Sequence, residues 1–232
     1  MAAHDNDAIM STLFITRREA QRTRQTQAHI EASREWQVLG VADSQFRARA
    51  ALPQIDPDAL LIDLRLEDGT ALSLVRELRQ RRAERPKVMV LAADATDPLL
   101  FITMQAGADA YLLEADLAVA ANALKRMLAG EAAMAAPLAV ETLRFFGEPL
   151  AAPNIGNAVN DRALDWQGNG GNPMKLSAGE RHLLQSVAAG ATSTALAARM
   201  ALSVEAISRR IGNIYRKLSW DVRSGALSLL AA

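Results

Sequence analysis

The sequence predicts a doubly wound α/β domain on a five-stranded parallel sheet, followed by a small all-α domain. Three observations carry this. Residues 12 to 130 alternate short apolar runs with amphipathic segments, the pattern of strands that are each followed by a covering helix. From 176 to 218 the apolar residues recur at spacings of one, three and four, which fits successive amphipathic helices rather than strands. Between the two, GEPLAAPNIGNAVNDRALDWQGNGGNP (147 to 173) is rich in Gly, Asn, Pro and Ala, a composition that marks a flexible linker. At 232 residues and 50% hydrophobic, the chain is long enough for two folded cores.

Taken in order, the expected strands are Thr12 to Ile15, Gln37 to Val41, Ala59 to Leu64, Lys87 to Leu91 and Ala110 to Leu113. The helical stretches lie near Glu19 to Ser33, Ser44 to Leu52, Ala71 to Arg82, Asp97 to Ala106 and Asp116 to Ala129. Sites in such sheets lie at the carboxyl ends of the strands, where Arg17, Asp63, Ala92 and Glu114 would converge. EAAMAAPLAVETLRFF (131 to 146) reads as an added helix beside the sheet. The expected organisation is therefore an α/β domain over 1–146, a linker over 147–173 and a helical domain over 174–232.

In the helical domain, Ala189-Gly190-Ala191 breaks the first periodic run, and the hydroxyls of Thr192, Ser193 and Thr194 can cap a short helix to about Met200. Leu202-Ser203 breaks the pattern again, with Ser203 as N-cap and Glu205 favourably placed for the helix dipole. Two helices joined by so tight a turn make a helix-turn-helix. The second, about Val204 to Lys217, keeps Ile207, Ile211, Ile214 and Leu218 for the core. A last short helix after Asp221 carries an apolar stripe of Ala226, Leu227 and Leu230.

At Leu176-Ser177, Glu180, Leu183, Ala189-Gly190, Leu196-Ala197, Leu202-Ser203, Ile207, Asn213-Ile214 and Lys217-Leu218 the chain resembles the LuxR-type helix-turn-helix that ends response regulators of the NarL/FixJ group. That family usually has Lys at the position of Ser208 and His at that of Arg210, departures that bear on sequence preference rather than fold. In the resembled family the last helix dimerises the DNA-binding domains. The resemblance thus implies a homodimer through Ala226, Leu227 and Leu230, and an inverted-repeat operator.

Charge supports a double-stranded DNA partner. Residues 174–232 hold eight Lys or Arg against three acids, a net of +5, on a chain that is neutral overall with 26 of each sign. A basic module on an acidic neighbour suggests that one end meets a polyanion. Arg209 is the expected reader of a base edge, since guanidinium pairs bidentately with guanine, with Ser208 and Gly212 beside it at the groove. Thr192, Thr194, Arg210, Arg216 and Lys217 suit phosphates. The plainer alternative is that Arg209 pairs with Glu205 one turn back and the other charges form a solvated face.

PDALLIDLRLEDGTAL and GADAYLLEAD resemble the third and fifth strand regions of a two-component receiver domain, with Asp63 at the phosphoacceptor position. Receivers normally present two acids after the first strand, which hold Mg²⁺ together with the phosphoacceptor; here the matching residues are Thr16 and Arg17. The family's Ser or Thr after the fourth strand corresponds to Ala92 and its Lys after the fifth to Glu114, while the aromatic Tyr111 is retained. Mg²⁺ needs near-octahedral oxygen ligation, and phosphoryl transfer needs the ion's charge. The expectation is a degenerate receiver that does not use ordinary aspartyl phosphorylation, with Arg17 paired to Asp63 and with a protein or small-molecule partner as its signal.

Other classes are set aside. The chain has no Cys, hence neither disulfide nor thiolate zinc site. No apolar run is long enough to span a bilayer, and MAAHDNDAIMSTLFI lacks a basic n-region, so a cytoplasmic location is expected. His4, His29 and His182 show no ligand spacing, so no metal or cofactor is assigned. No nucleophile–base constellation suggests an enzyme. The basic run Arg76, Arg79, Arg81, Arg82 and Arg85 reads as a solvated helix face, with a partner or nucleic-acid patch as the alternative. The expected function is a sequence-specific transcriptional regulator. The alternatives are a conventional phosphorylated response regulator using Asp63 and an interaction protein that sequesters a partner without specific DNA binding.

Overall fold

The computed structural model describes residues 10–82, 84–150, 175–220 and 222–224. The first half runs β1 (Ser11–Thr16), α1 (Ala20–Glu31), β2 (Trp36–Ala42), α2 (Gln45–Ile55), β3 (Ala59–Asp63), β4 (Arg65–Leu66), β5 (Gly69–Thr70), α3 (Ala71–Arg81), β6 (Lys87–Ala92), α4 (Pro98–Gln105), β7 (Ala110–Leu113), a 3-10 turn (Glu114–Val119), α5 (Ala120–Leu128) and α6 (Ala136–Phe145). The second half is α7 (Ala178–Ala188), α8 (Ser193–Arg199) and α9 (Val204–Leu218). Five parallel strands form one sheet in the order β2-β1-β3-β6-β7, with helices on its faces. Leu60, Leu61 and Ile62 of the central β3 are fully buried, as a strand covered on both faces requires.

All five expected strands and the helices between them are present, with three differences. The short antiparallel ribbon of β4 and β5 escapes sequence reading because two-residue strands carry no period. The stretch expected to start a helix at Asp116 opens as the 3-10 turn, and α5 begins only at Ala120. The added helix expected from 131 begins at Ala136, with Pro137 in its first turn. Proline is tolerated there because its missing N–H has no partner in a first turn.

On the edge strand the pairing of β1 with β2 passes from Leu13↔Val38 to Phe14↔Gly40, so Leu39 is an extra, bulged residue. Gly40 is required beside it, since a side chain there would run into the Phe14 ring. The basic run is not a uniformly solvated face either. Arg79 is fully buried: Nε donates to Gly107 O (2.8 Å), Nη1 to Pro86 O (3.0 Å) and Nη2 to Asp109 Oδ2 (2.7 Å). Such a burial is tolerated because the guanidinium is paired and hydrogen-bonded.

In the second half the helix starts follow their caps. The Ser177 hydroxyl accepts from Glu180 N while the Glu180 carboxylate accepts from Ser177 N, a reciprocal capping box. Thr192 caps α8 and Ser203 caps α9. Along α9, Ile207, Ile211, Ile214 and Leu218 are buried. The buried apolar residues form one continuous cluster from the sheet through Leu138 and Leu143 of α6 into Leu183 and Ile211. The two halves are therefore docked. The segments 151–174 and 225–232, which hold most of the expected linker and the stripe of Ala226, Leu227 and Leu230, lie outside the described residues.

Candidate functional site

Two places collect the chemistry. At the carboxyl edge of the sheet, β1, β3 and β7 bring Thr16 and Arg17 together with Asp63 and Glu114. Arg17 is 1% exposed, and each of its nitrogens has an acceptor. Nε donates to Asp63 Oδ1 (3.0 Å), Nη1 to Thr26 Oγ1 (2.6 Å), and Nη2 to both carboxylate oxygens of Glu114 (2.5 and 2.7 Å). The second oxygen of Asp63 accepts from the Arg18 amide (3.0 Å). Burial works against the Arg17 charge, but hydrogen bonding to Glu114 and attraction from both carboxylates outweigh it and hold the group above its ordinary value. Burial pushes Asp63 above the usual carboxylate range, with the Arg18 amide and Arg17 pulling the other way.

These residues do not fit Mg²⁺. The positive charge between Asp63 and Glu114 is a covalently tethered guanidinium, and the end of β1 supplies Thr16, whose buried hydroxyl has no hydrogen-bond partner, where carboxylate ligands would be needed. The open side is a cavity of about 180 Å³ lined by Arg18, Glu19, Arg22, Asp63, Arg65 and Asp97 among others. Its rim charges are paired, Arg65 with Asp97 (2.9 Å) and Arg22 with Glu19 (3.1 Å). Two of the expected site residues, Ala92 and Tyr111, do not line this cavity. Ala92 is buried in β6, and the cavity wall runs through Leu91 and Ala93. The Tyr111 hydroxyl accepts from Ala135 N (2.8 Å) at the entry to α6, so this aromatic serves the connection between the halves rather than Asp63.

The second place is α9. Besides its core face it has a face of Ser208, Gly212 and Tyr215 turned to the segment after α5. Ala132 N donates to Ser208 O (3.0 Å), Arg126 Nη2 to Ser208 Oγ (2.7 Å) and Tyr215 Oη to Ala133 O (2.9 Å). The Gly130 carbonyl oxygen lies so close to Gly212 that a side chain there would overlap it. The third face carries Glu205, Arg209, Asn213 and Arg216, all exposed. Of the three expected base readers only Arg209 is open, while Ser208 is buried and Gly212 is covered by the chain itself. Among the described residues Arg209 forms no ion pair, so the expected alternative of a Glu205–Arg209 bridge is not formed.

The expected phosphate contacts divide as well. Thr192, Thr194 and Arg216 are exposed, with the Thr192 hydroxyl accepting from Ala195 N (3.2 Å) and Arg216 donating to Asn213. Arg210 is half-buried and donates to Ala206 O (3.2 Å); burial and the neighbouring Arg209 lower its pKa from the ordinary value. Lys217 is committed inward, to Glu180 of the capping box (2.6 Å) and to Lys175 O (3.2 Å), because the buried Glu180 needs a cation. Arg126 and Gly130 were not foreseen. They sit 82 residues from their partners on α9, and nothing in their type or spacing announces a contact.

A doubly wound five-stranded sheet with an aspartate at its central strand end, backed by a helix-turn-helix, defines a receiver-type α/β unit joined to a small helical one. Residues 18–115 match the family model of the response regulator receiver domain. It is 26% identical over 196 residues to the DNA-binding transcriptional activator DevR/DosR of Mycobacterium tuberculosis, covering 84% of this chain and 82% of that one. It is 24% identical over 203 residues to the transcriptional regulatory protein LiaR of Bacillus subtilis, covering 86% of each. Among solved structures, the RcsB–DNA complex shares the fold with a TM-score of 0.51 at 16% identity, covering 94% of this chain and 98% of that one. A LuxR-family response regulator from an Aurantimonas species gives 0.53 at 19% identity, covering 58% and 99%. Among the described residues no group of acids and histidines could hold a metal ion, and no helix is long and apolar enough to cross a membrane.

Proposed function

We propose that the chain is a sequence-specific, DNA-binding transcriptional regulator that acts without ordinary aspartyl phosphorylation and has no enzymatic activity of its own. The observation that carries the second half of this reading is Arg17, buried between Asp63 and Glu114 and bonded to both. A fixed guanidinium stands where a receiver needs a divalent ion. The carboxylate oxygen that would attack a phosphodonor is engaged, and no ammonium or hydroxyl awaits a phosphoryl group at Glu114 or Ala92.

For the DNA half, the support is the basic output region and the open face of α9. Arg209 reads a base edge, with Thr192, Thr194 and Arg216 on phosphates; Ser208, Gly212 and Arg210 join them only when α9 has left the receiver. Lys217 stays with Glu180. The working unit is a cytoplasmic homodimer joined through Ala226, Leu227 and Leu230 on an inverted-repeat operator, with 1–146 as receiver, 147–173 as linker and 174–232 as output. The docked arrangement is the resting form, and a protein or small-molecule partner at the receiver shifts the population toward the open one.

Selection of genomic DNA fragments by the purified, unphosphorylated protein tests the reading. One enriched inverted-repeat motif, lost or relaxed with Arg209→Ala, is the expected result. Mg²⁺-dependent labelling of Asp63 by a small phosphodonor would return the chain to conventional response regulators.

A further inference from the structure

Beyond the end of α9, Arg223 reaches across to the amino edge of the sheet, the edge opposite Asp63. Its Nη2 donates to Asp109 Oδ1 (2.9 Å) and Gly107 O (3.0 Å), its Nη1 lies 3.4 Å from Glu84, and its Nε donates to Ser219 Oγ (2.8 Å). Asp109, immediately before β7, is already held without it. Oδ2 accepts from Arg79 Nη2 (2.7 Å) and from Val88 N (2.8 Å), and Oδ1 lies 3.3 Å from Lys87 Nζ. Lys87 is also paired with Glu84 (2.8 Å). With Arg223 in place, three cations face two carboxylates; with Arg223 gone, two face two.

This count decides what opening costs. Breaking a buried ion pair is expensive chiefly because the abandoned partner is left charged and alone. Here the abandoned partner keeps Arg79, Lys87 and a backbone amide, and the departing guanidinium returns to water. The Arg17 site has a thinner reserve: without Arg17, Asp63 keeps the Arg18 amide (3.0 Å) and Glu114 the more distant Arg22 (3.4 Å).

Building on the reading of α9 as the DNA-contacting helix, we propose that Arg223 is a releasable latch. It closes the output region onto a charge cluster at the amino edge of the sheet that is complete without it. Opening is then governed by ionic competition at Asp109, not by the state of Asp63.

The chain contains no cysteine, so cysteines introduced at the exposed Gln37 and Ala198 can carry a fluorescent donor and acceptor on the full-length protein. In wild type the open fraction rises between about 50 mM and about 1 M salt as the ionic contact is screened. Arg223→Gln raises the open fraction at low salt by ~tenfold and flattens its salt response, whereas Arg223→Lys stays nearer wild type and Asp63→Asn leaves the salt response unchanged. An Arg223→Gln protein with wild-type open fraction and salt dependence overturns the latch, as does a salt response abolished by Asp63→Asn. Because no DNA is present, a working latch beside a failed motif selection would locate the error in the DNA reading, and the converse in the latch.

Discussion

Replacing Gly212 by Ala should open the protein. The added methyl would overlap the carbonyl oxygen of Gly130, a backbone atom that cannot swing aside like a side-chain tip. To admit it, the segment Gly130–Ala133 must withdraw from α9. That strains or breaks the Ala132–Ser208, Tyr215–Ala133 and Arg126–Ser208 hydrogen bonds. Two neutral bonds at about 1 kcal/mol each and one charge-assisted bond at about 1.5–3 kcal/mol, partly offset by rehydration, give a loss of about 3 kcal/mol. At 1.4 kcal/mol per tenfold, the ratio of open to closed protein rises on the order of 100-fold. The same substitution removes a glycine from a helix interior and so favours α9 by roughly 1 kcal/mol in both forms, a gain that cancels from the ratio. The labelled pair at 37 and 198 reads the opening directly. If closure limits DNA binding, the apparent Kd for an operator falls toward its intrinsic value by the inverse of the competent fraction. A Gly212→Ala protein that stays closed would refute the packing argument. One that opens without gaining affinity would refute the claim that the covered face restrains DNA binding.

Arg17→Met leaves Asp63 and Glu114 facing one another without their cation; a loss of about 3 kcal/mol is expected, moderated by the partial hydration of Glu114, and thermal unfolding should show it as a Tm lower by about 6–12 °C. The deficit should shrink on acidification, as Asp63, whose pKa is raised by burial, protonates. For Asp63 itself the folded-state pKa is raised, so its contribution to stability is present at acid pH and is lost as pH rises through that folded value. Asp63→Asn removes this decline, and urea midpoints measured against pH should converge for the two proteins in acid and favour the variant above the ordinary carboxylate range. Ser177→Ala removes one side of the capping box and should lower stability by about 1 kcal/mol, or about 2–4 °C in Tm; an unchanged Tm would mean that water replaces the cap.

The strands and most helices were legible because each exposes its period to a one-dimensional reading: β3 as an unbroken apolar run, α9 as Ile207, Ile211, Ile214 and Leu218. The convergence of Arg17, Asp63 and Glu114 was legible too, since strand ends in a doubly wound sheet meet at one edge. What the periodicity could not carry was the way one half sits on the other. Ser208, Gly212 and Lys217 have the spacing of groove-facing or phosphate-facing residues. Their partners, Arg126, Gly130 and Glu180 respectively, are chosen by the docking of α9 and by a buried capping acid. Arg79 misled for a related reason: an arginine on a helix reads as solvated unless its acceptors are known, and these are carbonyls of Pro86 and Gly107 with Asp109.

The chain has two tyrosines, and both phenols end on the backbone between α5 and α6, Tyr111 accepting from Ala135 N and Tyr215 donating to Ala133 O. Burial holds both above the ordinary phenol value, Tyr215 far above it, and each ionisation would make the other harder. Phenolate absorbs to the red of phenol, so an alkaline absorbance titration carries a built-in optical report from this one seam of the molecule. Seated, the two phenols ionise late and in coupled steps; released, they return toward an independent ionisation near about 10. The protein therefore needs no label for an experimenter to ask whether α9 is at home.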